Sequence, residues 1–279
     1  MQATIQYIKK ELAGLYPESE THGFIRLILG AVCGLNYTDL ILQKNKIIDD
    51  SKVAGIKNIV ERLKSFEPIQ YILGETEFCD LCLQVNPSVL IPRPETEELV
   101  DWIVKSEIKN SAAILDIGTG SGCIPLSIKR KLADAQVFGI DISEQAVQVA
   151  TKNAALNNLD VEFFQADILN WKKNEWDKYD VIVSNPPYVR ESEKKLMQPN
   201  VLDYEPETAL FVSDTDPLIF YRTIAEFAHV NLTENGWLFF EINENMGREM
   251  RKLLQDSGFH SVDIKKDING KDRMSVCRK

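Results

Sequence analysis

The sequence predicts an α/β protein: a doubly wound, mostly parallel sheet of seven strands ending in an antiparallel hairpin, preceded by a small all-helical domain. Three observations predict it. Apolar residues recur at helical spacing from Ile5 to about Phe66, strand-like and helix-like runs alternate from Glu95 onward, and the last two strand-like runs flank Asp267-Ile268-Asn269-Gly270, a turn rich in Asn and Gly. With 279 residues the chain exceeds the ~100–200 of one ordinary domain, so two unequal domains are expected.

In chain order, the helical stripes are Ile5, Ile8, Leu12, Leu15; then Phe24, Ile25, Ile28, Leu29, Val32; then Ile56, Ile59, Val60, Leu63. Thr76 to Val89 has the alternation of a β-hairpin, and Ile91-Pro92-Arg93-Pro94 is a stiff extended connector, because proline restricts itself and its predecessor. Glu95 to Val104 reads as a helix. Strands are then expected at Ala112 to Ile117, Gln136 to Ile140, Val161 to Gln165, Tyr179 to Ser184 and Trp237 to Ile242. Helices are expected at Cys123 to Leu132, Glu144 to Leu156 with Ser143 as N-cap, Asp216 to Val230 and Met246 to Asp256. Ser261 to Lys265 and Arg273 to Cys277 form the closing hairpin. The division is a helical domain over 1–74, a hairpin and linker over 75–94, and an α/β domain over 95–279.

Composition narrows the function classes. Hydrophobic residues make up 44% and charged residues 27%, an ordinary globular balance that excludes disordered, collagen-like and disulfide-scaffold chains. The formal net charge is −10, and it is −2 up to residue 84 and −8 beyond, so neither part is a basic module and bulk nucleic-acid binding is disfavoured. The first residues, MQATIQYIKKELAGLY, lack the features of a signal peptide, and no apolar run approaches the ~20 residues of a membrane span. Five scattered cysteines, an odd number, fit reduced thiols, so a cytoplasmic location is expected. Cys79 and Cys82 have CxxC spacing, but no second pair completes a zinc site and the histidines are scattered; two hairpin thiols and no metal are expected.

In Asp116-Ile117-Gly118-Thr119-Gly120-Ser121-Gly122 a strand ends in alternate glycines and a helix follows, so backbone N–H groups can approach a nucleotide-like ligand without obstruction by Cβ. The dinucleotide fingerprint wants glycine where Cys123 stands, which weakens a nicotinamide reading. Asp141, at the end of the second strand, is placed to accept from both hydroxyls of a ribose, an arrangement shared by nicotinamide and S-adenosylmethionine enzymes. Asp167 and Ile168 follow the third strand and could set the adenine edge; a plain loop aspartate is the alternative.

Ser184-Asn185-Pro186-Pro187-Tyr188 follows the fourth strand directly, at the carboxyl edge of the sheet. The two prolines fix φ and leave carbonyl oxygens free, so with the Asn185 side-chain oxygen the turn offers two acceptors to one planar NH₂. Such a nitrogen is a poor nucleophile because its lone pair is delocalised. Holding both hydrogens on fixed acceptors turns the lone pair toward a methyl donor and stabilises the charge that grows on nitrogen, with no general base required before transfer. Tyr188 can lie against the plane of the acceptor group. A Pro-Pro turn that merely caps a strand is the bland alternative.

Together these residues resemble the class I S-adenosylmethionine-dependent methyltransferases of amino nitrogens. The flanks Pro68-Ile69-Gln70-Tyr71-Ile72-Leu73-Gly74, Val89 to Glu97, Tyr204-Glu205-Pro206 and Gly270-Lys271-Asp272-Arg273 narrow the resemblance to the release factor glutamine methyltransferases, the HemK/PrmC family, from about residue 68 to the C-terminus. The resemblance implies a seven-stranded methyltransferase sheet and a helical domain that recognises the protein substrate. It implies methylation of the glutamine side-chain amide in the Gly-Gly-Gln loop of peptide chain release factors, with S-adenosylmethionine as donor and S-adenosylhomocysteine as product. Gly118, Thr119, Gly120, Ser121, Gly122, Asp141, Asp167, Ile168 and Asn185 would hold the cofactor, and Asn185, Pro186, Pro187 and Tyr188 the glutamine. Ile168 stands where some members carry tryptophan, and Glu241-Ile242-Asn243-Glu244-Asn245-Met246 lacks the glycine and glutamine often found after Glu-Ile.

Release factors are the expected partners, with no membrane and no sequence-specific nucleic acid. Alternatives are a ribosomal-protein glutamine, the amino group of a nucleic-acid base, or a non-catalytic binding module that keeps a cofactor fold. Arg93 and the acidic run Glu95, Glu97, Glu98 could touch a ligand or simply open a helix, and Glu205 could shape the substrate entrance or be a solvated loop carboxylate.

Overall fold

A computed structural model describes residues 1–42 and 47–279 of the chain, which form two compact units. The first comprises Met1–Gly74 together with Gln198–Tyr204. Its helices over Met1–Gly74 are α1 (Gln2–Leu12), α2 (Glu18–Cys33), α3 (Tyr37–Leu42), α4 (Asp50–Lys64) and α5 (Ile69–Leu73), and a further short helix lies in Gln198–Tyr204. The helical stripes meet in one core: Ile8 and Leu12 of α1, Ile28 and Leu29 of α2, and Ile56, Val60 and Leu63 of α4 are fully buried. Leu15 leaves the stripe, being 39% exposed, because α1 stops at Leu12 and the chain turns through Gly14 at φ +79°. The Tyr204 hydroxyl donates to Ser65 O at 2.8 Å, which anchors the returning segment within this unit.

The second unit holds Glu75–Met197 and Glu205–Lys279. It begins with the hairpin β1 (Glu75–Phe78) and β2 (Leu81–Gln84), which stops five residues short of the Val89 that alternation suggests. Helix α6 (Pro94–Lys105) follows, with proline in its first turn, where a missing N–H costs nothing. Strands and helices then alternate: β3 (Ala113–Ile117), α7 (Cys123–Lys131), β4 (Gln136–Asp141), α8 (Glu144–Asn157), β5 (Glu162–Gln165) and β6 (Tyr179–Ser184). Ser143 caps α8 as expected, its hydroxyl accepting from Ala146 N at 3.2 Å.

A short parallel pair, β7 (Val189–Arg190) with β8 (Phe211–Val212), brackets the small helices α9 (Pro199–Leu202) and α10 (Glu207–Leu210). The chain closes with α11 (Ile219–Asn231), β9 (Leu232–Glu241), α12 (Gly247–Asp256), β10 (His260–Lys266) and β11 (Asp272–Arg278). Helix α11 starts three residues after the Asp216 that patterning suggests, since Asp216 instead closes a turn from Ser213.

Among the described residues the main sheet has seven strands in the order β10-β11-β9-β6-β3-β4-β5, parallel except where β11 pairs with β9 and with β10. Successive residues serve opposite faces. Val181 and Phe239 join the core packed by α6 and α7, while Ile182 and Phe240 join the core packed by α11 and α12. Strand β3 has β4 on one side and β6 on the other, so connections leave it in opposite directions. That switch point opens a crevice at the carboxyl ends of the strands. No helix among the described residues is long and apolar enough to cross a membrane.

Candidate active site

The switch point is where the sequence motifs converge. Gly118–Gly122 leaves β3, Asp141 ends β4, Asp167 and Ile168 follow β5, and Asn185 to Pro187 leave β6. All of these except Gly122 border one cavity of about 390 Å³.

The glycine loop takes positive φ at each alternate position, +75° at Gly118, +53° at Gly120 and +79° at Gly122. The three have different reasons to lack a side chain. A Cβ on Gly118 or Gly120 would meet nothing within 4 Å, whereas one on Gly122 would press on Ala150, Phe163 and Leu126 at 3.1–3.2 Å. The first two leave room for a guest and the third lets α7 pack against α8 and β5. The loop is tied down by Gly118 N and Thr119 N, both donating to Ile140 O at 2.9 Å, and by Gly120 N donating to Asp141 Oδ2 at 2.9 Å. Asn153 of α8, fully buried, adds a brace by donating to Ser121 O at 2.9 Å and to Gln84 O at 3.0 Å.

Around this loop polar atoms are left over. Both carboxylate oxygens of Asp116 and the hydroxyls of Thr119 and Ser121 are buried with no hydrogen-bond partner. Burial pushes the Asp116 carboxyl up to about 7; the nearby Thr119 hydroxyl opposes the rise and the charge of Asp141 adds to it. Asp141 is held more comfortably. Burial raises its carboxyl, but the N–H groups of Ser143 and Gly120 oppose the rise, and each oxygen keeps acceptor capacity toward the cavity. A cradle with space above two glycines, unsatisfied hydroxyls and two carboxylates fits a cationic nucleoside ligand such as S-adenosylmethionine. Asp167 has local duties: it accepts from Leu169 N at 2.9 Å and Asn170 Nδ2 at 2.6 Å, capping a 3-10 turn, while Ile168 lies nearly buried beside it.

The acceptor turn is finished differently. Ser184 donates to Ile117 O at 2.7 Å, joining the ends of β6 and β3. Asn185 Nδ2 lies 3.5 Å from Thr96 Oγ1, and Thr96 Oγ1 donates to Glu241 Oε2 at 2.7 Å. The Tyr188 hydroxyl donates to the other oxygen, Glu241 Oε1, at 3.0 Å. Asn243 Nδ2 donates to Tyr188 O at 3.2 Å and Glu193 Oε2 at 3.3 Å. Asn185, Pro186 and Pro187 border the cavity; Tyr188 instead sets its ring against the core on the α11 side. Burial pushes both the Tyr188 phenol and the Glu241 carboxyl up, and the positive charge of Arg273 opposes both shifts. Arg273 itself is fixed by Asp267 Oδ2 at 3.1 Å from its Nε.

Thr96, Asn153, Glu241, Asn243 and Arg273 were not legible as site residues in the sequence, although Thr96 and Arg273 lie in the flanking motifs. The departure at Asn243 is a strut under the acceptor turn. Arg93 borders the cavity and pairs with Glu205, which also accepts from Ile91 N at 3.2 Å; Glu205 is therefore a buried anchor and not a solvated loop carboxylate. Glu97 accepts from Cys79 N at 2.8 Å and Glu98 from Ile268 N at 3.1 Å, so part of the acidic run ties α6 to neighbouring turns. Cys79 and Cys82 are free thiols at the hairpin.

Comparison with known proteins agrees with this geometry. Residues 3–74 match the family described as PrmC N-terminal domain, and residues 96–202 the one described as methyltransferase small domain. A release factor glutamine methyltransferase of Flavobacterium psychrophilum is 48% identical over 267 residues, covering 94% of this chain and 93% of its own. One of Bacteroides thetaiotaomicron is 45% identical over 279 residues, covering all of both chains. Among solved structures, a methyltransferase from Pyrococcus furiosus has a TM-score of 0.53 at 19% identity, over 71% of this chain and 89% of that one. A 16S rRNA N2 G1207 methyltransferase of T. thermophilus, in complex with AdoMet and guanosine, has a TM-score of 0.52 at 16% identity, over 74% and 49%. At these identities the two structures share the fold with this chain.

Proposed function

The chain belongs to the release factor glutamine methyltransferases, and from that membership we propose that it methylates the side-chain amide nitrogen of the glutamine in the Gly-Gly-Gln loop of a peptide chain release factor. The observation that supports this reading best is the meeting of the glycine loop and the Asn185 turn on one cavity at the switch point.

S-adenosylmethionine, when bound, supplies an electrophilic methyl group on a sulfonium. Gly118 and Gly120 would make room for it within the loop that runs to Gly122, Asp141 would accept from its ribose hydroxyls, and Asp167 and Ile168 would border its adenine. Asp116, buried behind the loop with two unused oxygens, would have its charged form stabilised by a positively charged ligand bound there. Asn185 Oδ1 and the Pro186 carbonyl take the two hydrogens of the glutamine NH₂, and Tyr188 secures the turn that presents them. The nitrogen lone pair is then directed at the methyl carbon, and the proton is lost after the N–C bond has formed. The helical unit recognises the release factor, and the reaction takes place in the cytoplasm, where release factors work.

The test is incubation with labelled S-adenosylmethionine and a release factor, followed by mass spectrometry of the product. The methyl group is expected on the Gly-Gly-Gln glutamine. Label absent there but present on a ribosomal protein or an RNA would overturn the reading.

A further inference from the structure

Asparagine is a two-ended group, with one end accepting hydrogen bonds and the other donating, and a turn that grips an NH₂ works with only one end forward. Here the choice is made behind the turn. Strand β9 runs beside β6 with Phe240 opposite Ser184, so the next residue of each, Glu241 and Asn185, emerge together at the sheet edge. Thr96, in the first turn of α6, stands between them, and both Thr96 and Glu241 are only 2% exposed.

We infer that Thr96 and Glu241 are positioning residues that fix which end of the Asn185 amide faces the substrate, a role that rests on the methyltransferase reading above. A threonine hydroxyl has one proton. The 2.7 Å contact commits that proton to Glu241 Oε2, so toward Asn185 the Thr96 oxygen only accepts, and it therefore faces Nδ2 at 3.5 Å. The other carboxylate oxygen receives the Tyr188 hydroxyl, which leaves Glu241 an acceptor on both sides and holds the relay in one direction. Among the described residues nothing donates to Asn185 Oδ1, and Asn185 borders the cavity. Were the amide reversed, its NH₂ would face the substrate's NH₂, donor against donor.

Turnover, Michaelis constants and cofactor affinity of Thr96→Val and Thr96→Ser, measured on a release factor with labelled S-adenosylmethionine, test the relay. Valine keeps the shape of threonine without the hydroxyl, so kcat is expected to fall at least tenfold, with KM for the release factor and the calorimetric Kd for the cofactor within twofold. Serine restores the hydroxyl and is expected to return kcat to within about twofold of wild type. A valine variant with wild-type kcat, or a serine variant as slow as the valine one, would overturn the assignment. If the valine variant fails to fold, Glu241→Gln decides: its amide can donate to Thr96 and release the hydroxyl proton toward Asn185. Low kcat with unchanged cofactor Kd then supports the relay, and wild-type kcat refutes it. Wild-type enzyme that leaves the Gly-Gly-Gln glutamine unmodified would instead overturn the substrate assignment, and this role with it.

Discussion

Around the glycine loop, Asp116, Thr119 and Ser121 keep buried oxygens with no partner within hydrogen-bond distance, while around the Asn185 turn the hydroxyls of Thr96, Ser184 and Tyr188 and the amide of Asn243 all have partners. Both regions border the same cavity. The difference follows from what each must do. Buried polar groups without partners cost free energy, and a ligand that satisfies them recovers it, so the loop is suited to binding. A turn that must aim a reacting nitrogen gains from being rigid before the substrate arrives, and its network is complete in advance.

The contrast is open to breaking, and the largest expected effect comes from removing the acceptor. Asn185→Ala is expected to cut methyl transfer at least about a hundredfold, on the scale of losing one preorganised polar group, while cofactor affinity by calorimetry stays within a few-fold. Equal losses in both would mean that the two regions do not divide the work as argued. Next comes Asp141→Ala, expected to weaken cofactor binding by roughly 1.5–3 kcal/mol, the scale of a hydrogen bond to a charged group. Unchanged affinity would remove Asp141 from the ribose site.

The smallest effect sharpens the contrast through stability. A carboxyl whose folded value lies near 7 binds its proton more tightly in the folded chain than in the unfolded one, where the usual value is about 3.9. The stability that this proton gives is therefore full at low pH, declines as pH rises from about 4, and is gone above about 7. Asp116→Asn removes that decline. Thermal melts of the ligand-free protein from pH 4 to 8 are expected to show the variant gaining steadily on wild type across that interval, with weaker cofactor binding at pH 8. Parallel melting curves would show that Asp116 does not titrate there.

What the sequence made legible was local. The loop from Gly118 to Gly122, the carboxylate at Asp141 and the turn from Asn185 to Tyr188 each sit at a strand end, and alternation of apolar runs is enough to find strand ends. Strand-helix alternation likewise located five strands of the sheet, and the Asn- and Gly-rich turn between Ser261 to Lys265 and Arg273 to Cys277 the other two. The struts were not legible because their meaning depends on partners far along the chain: Thr96 and Glu241 are 145 residues apart, and Asn243 and Tyr188 are 55 apart. Read alone, Thr96 is one residue of a helix start and Glu241 the charged end of an apolar strand. Only the packing of α6 against the end of β9 brings them side by side, and how a helix seats on a sheet is set by the whole core between them, which no short motif encodes. The sequence leaves Glu205 open between the substrate entrance and a solvated carboxylate for the same reason, since its arginine and amide partners lie more than a hundred residues upstream.

The short run Gln198–Tyr204 belongs to the helical unit although the residues on either side of it belong to the other. Its consequence is practical. A chimera made by swapping residues 1–74 for those of a relative would leave Tyr204 in the host chain while the main-chain carbonyl it donates to, Ser65 O, came from the graft. Exchanging the helical unit cleanly requires two transplanted pieces, and sequence drift in this heptapeptide is expected to track drift in the first 74 residues more closely than drift in its own neighbours.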